Sequence, residues 1–216
     1  MITVTAFRWV PDFARGQVRD LRVRWALEEA GIPYQSRPLT FDEKETPEYR
    51  RLQPFGQVPA MQDGELELFE SGAIVLNIAE RSERLMPADE RGRDRARAWL
   101  IAALNSIEPP LGAMVGTRLF HGDEPWAEGA EKSFGELASM RLTSLSRWLG
   151  EKDWLEDSFT CGDLMMATVL RIPEAEMLQR WPNLAAYLAR CEARPAFQRA
   201  LAAQLADFDA EPPVAA

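Results

Sequence analysis

Apolar positions follow two regimes along the chain, and the change comes near residue 82. Thr3 to Phe7 alternates and is β-prone, the period-two pattern of a half-buried strand. From about Val18 to Ala30 the residues Val18, Leu21, Trp25 and Ala26 recur on one helical face, and Gly31, Ile32 and Pro33 then stop the helix in the expected order. Tyr34 to Leu39 supplies a second short strand. Asp63 and Gly64 predict a hairpin between Ala60 to Gln62 and the alternating Glu65, Leu66, Glu67, Leu68 and Phe69. Ser71 opens a helical run through Ile74, Val75, Ile78 and Ala79, so residues 1–81 read β-α-β-α-β-β-α around a four-stranded sheet.

Ser82 to Asp89, with Pro87 among polar residues, reads as a linker. Beyond it spacings of three and four recur in Ala96 to Ile107, Ala130 to Leu149, Asp163 to Leu170 and Leu184 to Cys191, and no strand pattern interrupts them. The expected organisation is an α/β domain over 1–81, a linker over 82–89 and an all-helical domain over 90–216, with Glu211 to Ala216 as a disordered tail. Pro109 and Pro110 are expected to end or kink the helix that carries Met114 and Phe120.

Composition narrows the function. With 46% apolar and 27% charged residues the chain is an ordinary globular protein. Its net charge of -9, from 25 Lys and Arg against 34 Asp and Glu, argues against nucleic acid or an anionic membrane as partner. No apolar run approaches the roughly 18 to 20 residues of a spanning helix, and Met1 to Phe7 lacks the sectors of a signal peptide, so a soluble cytoplasmic protein is expected. His121 is the only histidine, and Cys161 and Cys191 lie 30 residues apart without a CxxC. Zinc sites and Ser/His or Cys/His pairs lack raw material, so no metal and two reduced structural thiols are expected.

Two short stretches carry candidate chemistry. In Pro54, Phe55, Gly56, Gln57, Val58, Pro59 the last proline is a candidate cis peptide, because the X-Pro bond disfavours cis by only about 0.5 to 1 kcal/mol. A cis bend leaves the N–H and C=O of Val58 to a ligand backbone; a trans proline simply starts a strand. Glu70 and Ser71 stand at a strand-to-helix junction, where N–H groups, a hydroxyl and a carboxylate together suit an α-amino acid head group. The alternative makes Ser71 an N-cap and Glu70 a solvated charge.

Taken in order, these residues resemble the cytosolic glutathione transferase family over nearly the whole chain. The resemblance runs through Val23, Arg24, Trp25, Ala26, Leu27, Glu28, Glu29, Ala30, Gly31, through Gly56 to Ala60, and through Glu70 to Ile74. It continues in Phe159, Thr160, Cys161, Gly162, Asp163 to Ala167, in Trp181 to Leu184 and in Arg194, Pro195. Thr160 and Asp163 have capping-box spacing, which in that family starts a central buried helix. The resemblance implies a thioredoxin-like N-terminal domain, an all-helical C-terminal domain and a homodimer. It further implies that Val58 pairs with the cysteinyl backbone of glutathione, that Pro59 is cis, that Glu70 and Ser71 hold the γ-glutamyl end, that Lys44 binds the glycine carboxylate, and that Gln57 belongs to the same binding set.

Most members of that family activate the thiol with Tyr, Ser or Cys between the first strand and the first helix, and this chain has none there. Counting back from Trp25 to Leu27 puts Gln17 near that position. From Arg8 to Arg24 there are five arginines and two aspartates, a local cationic excess in an acidic chain. Arg15, Gln17 and Arg19 are therefore the candidates for stabilising a thiolate. Alternatively Arg19, Arg22 and Arg24 face water or pair with Asp20, Glu28 and Glu29 at helical spacing. A small apolar electrophile is expected between the domains against Trp9, Phe13, Met114 and Phe120, residues that equally suit a core. The leading expectation is a glutathione transferase that attacks an electrophile or reduces a peroxide or disulfide, with an isomerase as variant. The second is a non-catalytic module binding glutathione, hydrophobic ligands or a protein partner.

Overall fold

In the computed structural model, which describes residues 1–209, the alternation at the N-terminus becomes β1 (Ile2–Phe7), with Ile2, Val4 and Ala6 buried. It pairs in parallel with β2 (Tyr34–Leu39) and antiparallel with β3 (Ala60–Asp63), which in turn pairs with β4 (Leu66–Phe69). The sheet order is β2-β1-β3-β4. Pro38 lacks an N–H and lies in the edge strand β2, where the ladder tolerates it. Helices α1 (Asp20–Ala30), α2 (Pro47–Leu52) and α3 (Ser71–Ala79) complete the β-α-β-α-β-β-α order. The expected tail over 211–216 lies outside the described residues.

Helix α1 starts two residues later than its apolar pattern suggests. Leu21 N–H bonds to the Val18 carbonyl and Arg22 N–H to that of Arg19, so Val18 and Arg19 belong to an entering turn with i→i+3 bonds. Its residues Leu21, Val23, Trp25, Ala26 and Leu27 are all buried, because α1 packs against α3 on one side and α10 (Pro195–Ala206) on another. Trp25 meets Phe197 edge-on, with ring centroids 4.9 Å apart, and Arg194 forms a two-pronged ion pair with Glu29 at 2.5 and 2.9 Å. These contacts divide the helical stretch expected over 90–216. Pro87–Ala193 forms one compact unit, while the described residues from Arg194 to Asp209 join Met1–Met86 in the other.

The second unit is helical: α4 (Glu90–Ala102), α5 (Glu108–His121), α6 (Ala127–Leu149), α7 (Cys161–Leu170), α8 (Ala175–Leu178) and α9 (Pro182–Glu192). Pro109 and Pro110 do not end a helix. They occupy the first turn of α5, where a missing N–H is harmless, and the wider π turn Ala103–Ile107 joins α4 to α5 ahead of them.

Helix α7 is buried along its whole length and begins with the expected capping box. The Thr160 hydroxyl accepts from Gly162 N–H at 3.1 Å, and Asp163 accepts from Thr160 N–H at 2.9 Å. A side chain at position 162 would meet the Trp99 Cβ at 2.6 Å, so only glycine lets α7 approach α4. Cys161 and Cys191 are buried and in no disulfide, and burial pushes the Cys161 thiol up to about 12. Among the described residues no group of three or more His, Cys, Asp or Glu is arranged to hold a metal ion, and no helix is long and apolar enough to cross a membrane.

Candidate functional site

Three turns of the first unit converge on a cleft of about 450 Å³. The loop after β1 contributes Gln17, Val18 and Arg19; the single turn Glu43–Glu45 contributes Lys44; the stretch before β3 contributes Phe55, Gly56, Gln57 and Val58. Phe7 at the end of β1 completes the lining. Two cations and two amides thus face one space beside apolar groups, in a protein that is acidic overall. Lys44 is paired with Glu45, which also receives Arg50, and these two cations hold the Glu45 carboxyl down at about 2.

The stretch before β3 is shaped by its own hydrogen bonds. Gln53 is buried; its carbonyl accepts from Gly56 N–H at 3.0 Å and its side-chain oxygen from Phe55 N–H at 2.7 Å. Gly56 has φ +61°, and the Arg50 guanidinium fills the place of a side chain, 2.7 Å from where a Cβ would stand. The Val58–Pro59 peptide is cis, and β3 begins only at Ala60. Val58 therefore precedes the ladder, and among the described residues its N–H and C=O take part in no hydrogen bond.

The backbone on either side of Val58 is anchored from below. Ala60 N–H donates to the Thr5 hydroxyl at 2.7 Å, Thr5 meets the Tyr49 hydroxyl at 2.9 Å, and Tyr49 donates to the Gln57 carbonyl at 2.7 Å. Both side chains are buried, Thr5 on β1 and Tyr49 on α2.

At the other junction Glu70 has φ +69°, the only positive φ outside glycine among the described residues. The Ile74 N–H bonds back to the Glu70 carbonyl and starts α3. Ser71 is the first helical residue and not the N-cap; its buried hydroxyl accepts from the Arg22 guanidinium at 3.3 Å.

A family model for the glutathione S-transferase N-terminal domain matches residues 13–80, which span most of this cleft. Glutathione S-transferase 3 of Zea mays is 31% identical over 197 residues, covering 85% of this chain and 88% of its own. A probable glutathione S-transferase of Oryza sativa subsp. japonica is 30% identical over 188 residues, covering 80% and 86%. The chain belongs to the glutathione S-transferase family. Its fold superimposes on a glutathione transferase family member from Pseudomonas fluorescens pf-5, solved with two glutathione bound, at TM-score 0.82 and 25% identity over 93% of this chain and 92% of that one. A Burkholderia graminis glutathione transferase with two glutathione molecules per subunit matches at TM-score 0.80 and 26% identity, over 93% and 87%.

Of the site residues expected for a glutathione transferase, the structure brings Gln17, Arg19, Lys44, Gln57 and Val58 into one cleft. Pro59, Glu70 and Ser71 stand at the adjoining strand ends and do not line it. Arg15 is drawn away: it pairs with Asp12 at 3.3 Å, donates to the Asp209 carbonyl at 3.2 Å and stacks over Phe208. Trp9 is half-buried against Phe41, and Phe13 is exposed on the single turn Asp12–Ala14. In the second unit Met114 is buried on α5, where its sulfur neighbours Gly135 of α6, and Phe120 is exposed.

Sequence reasoning missed Arg22, Tyr49 and Thr5. Arg22 and Arg24 do not face water, since α1 is covered on several sides; Arg24 is buried against Asp20, Ser36 and Asp207. The signal for this was the density of apolar residues from Leu21 to Leu27, too high for a helix with one wet face.

Proposed function

We propose that the cleft binds glutathione and ionises its thiol for attack on a small apolar electrophile. Glutathione offers two carboxylates, one ammonium group and a thiol between two amides. The observation that carries the reading is the unpaired backbone edge of Val58, next to Lys44, Gln17 and Arg19 in one cleft. A peptide-like ligand pairs its cysteinyl amide with that edge, which two buried hydroxyls keep in place. Lys44 takes the glycine carboxylate, with Gln57 beside it, while cis Pro59 shapes the turn. Glu70 receives the ammonium group, and Ser71 with the first N–H groups of α3 receives the γ-glutamyl carboxylate. The glutathione-containing relatives from Pseudomonas and Burkholderia support the choice of ligand.

Without a Tyr, Ser or Cys, the thiolate is stabilised by the Gln17 amide, the Arg19 guanidinium and the partial positive end of α1. Arg15 adds its charge to the loop without lining the cleft. The thiolate forms a bond to the electrophilic carbon, the leaving group departs with its electron pair, and the thiol proton has already passed to solvent. Trp9 and Phe13, on the loop leading to Gln17, meet the apolar part of the electrophile. A second reading is favoured by the two glutathione molecules in both relatives. There the electrophile is sulfur: the thiolate attacks a glutathionylated substrate, forms glutathione disulfide and releases the other sulfur as a thiol. As in the family, we take the protein to be a homodimer; a monomer by sedimentation at micromolar concentration would contradict that.

The test is calorimetric titration with glutathione, followed by rates with chlorodinitrobenzene and with a glutathionylated disulfide. Saturable binding that Ser71→Ala and Lys44→Ala weaken, with turnover of either electrophile, is the expected result. Binding without turnover would favour a non-catalytic module, and no binding would overturn the reading.

A further inference from the structure

We infer that Gln204, on the last helix, is a positioning residue for thiol activation, because it holds the loop that presents Gln17 and Arg19 to the cleft. Gln204 is fully buried. Its side-chain Nε2 donates to the Val18 carbonyl at 3.0 Å and to the Asp20 carboxylate at 2.6 Å. The Val18 carbonyl can only accept, so the amide has one sensible orientation. Val18 lies between Gln17 and Arg19, and all three line the cleft.

Between β1 and α1 the regular structure is the single turn Asp12–Ala14, Gln17 N–H bonds to the Ala14 carbonyl at 2.9 Å, and α1 begins with no side-chain cap at Arg19. The segment that follows Gln204 braces the same loop, and the helix α1 that it enters, at further points. Arg24 of α1 pairs with Asp207 at 2.5 Å, Asp209 N–H donates to the Arg8 carbonyl at 2.8 Å, and Arg15 donates to the Asp209 carbonyl. Gln204 and the residues that follow α10 thus splint the chain from Arg8 to Asp20. Gln204 also leaves its own side-chain oxygen buried without a partner. An apolar residue there would avoid that desolvation, so the two donated bonds are what the amide supplies.

The inference rests on the glutathione reading, and the experiment separates the two. Gln204→Met keeps the volume and the helix but removes both donors. Arg199→Ala removes a different α10 contact, the ion pair with Glu28 at 2.7 Å, and serves as control. Hydrogen exchange over residues 8–20 is measured on the ligand-free proteins, and ultraviolet thiolate absorbance on their glutathione complexes. Gln204→Met is expected to speed exchange in that segment and to lower the bound thiolate fraction about tenfold at a pH below the thiol's midpoint, a one-unit rise in thiol pKa. Arg199→Ala should change neither. If Gln204→Met leaves exchange or thiolate as in wild type, or if Arg199→Ala has the same effect, the inference is overturned. A wild-type protein that binds no glutathione overturns the glutathione reading and the thiol half with it, while exchange still decides whether Gln204 holds the loop. Should Gln204→Met not fold, Gln204→Asn, which shortens the amide, is read in the same way with a smaller shift in the same direction.

Discussion

The Tyr49 hydroxyl donates to the Gln57 carbonyl at 2.7 Å, and through it a buried helix residue fixes the backbone that a peptide ligand would pair with. Tyr49→Phe removes the bond and leaves the Gln57 carbonyl short of a partner. A net loss of about 1 kcal/mol in stability is expected in urea unfolding, since an ordinary hydrogen bond contributes about that much. Glutathione affinity should fall several-fold in calorimetry, because the neighbouring Val58 edge loses its anchor. Unchanged affinity at reduced stability would confine Tyr49 to folding.

Glu70 holds a left-handed backbone that a non-glycine residue adopts at a cost, and it does so at the mouth of α3. Such outliers cluster at functional sites and cost on the order of 1 kcal/mol or more. Glu70→Gly should therefore leave thermal stability equal or slightly higher while weakening glutathione binding by at least tenfold. A destabilised variant with intact binding would contradict a ligand role for Glu70.

Lys44 is already neutralised by Glu45, which Arg50 shares. A ligand carboxylate must compete with Glu45 for the ammonium group. Glu45→Gln should tighten glutathione binding and Lys44→Ala weaken it, both less so at high salt, because the pairs are exposed. Equal affinities in all three proteins would place the glycine carboxylate elsewhere.

Asp20 is buried beside Arg24 and Gln204, with Asp207 on the far side of Arg24, and burial pushes its carboxyl up to about 6 from 3.8. The folded state then holds a proton that the unfolded state has released between those two pH values. Its contribution to stability is full below about 4 and fades as pH rises through 6. Relative to wild type, Asp20→Asn should gain on the order of 2 kcal/mol between pH 4 and pH 7.5 in urea unfolding. A shift in the opposite direction would mean that Arg24 outweighs burial and that the carboxyl is held low.

Much of this was legible in the residues because local rules and the fold agree. The hairpin at Asp63 and Gly64, the capping box of Thr160 and Asp163 and the proline at the head of β3 each state their structure within a few positions. What was not legible depends on partners distant in sequence. Arg15 meets a carbonyl 194 positions away, and Gln204 reaches Val18 across 186, contacts that no local period encodes. Ser71 reads as an N-cap by type and neighbourhood, yet Glu70 takes the cap position through its positive φ and frees the hydroxyl for Arg22. The division of the helical stretch at Arg194 likewise follows from Phe197 fitting Trp25, a match of shape invisible to spacing.

The proposed function requires this cleft to ionise glutathione without a Tyr, Ser or Cys between β1 and α1. Its most direct test is a pH titration of ultraviolet thiolate absorbance for glutathione bound to the wild-type protein, with Gln17→Ala, Arg19→Ala and Arg15→Ala alongside. Burial pushes the Cys161 thiol up to about 12, so it stays silent in the neutral range of that titration. The bound thiol is expected to ionise well below free glutathione, with the effect reduced by Gln17→Ala and Arg19→Ala and changed least by Arg15→Ala. A bound thiol that titrates like free glutathione would contradict the proposed function.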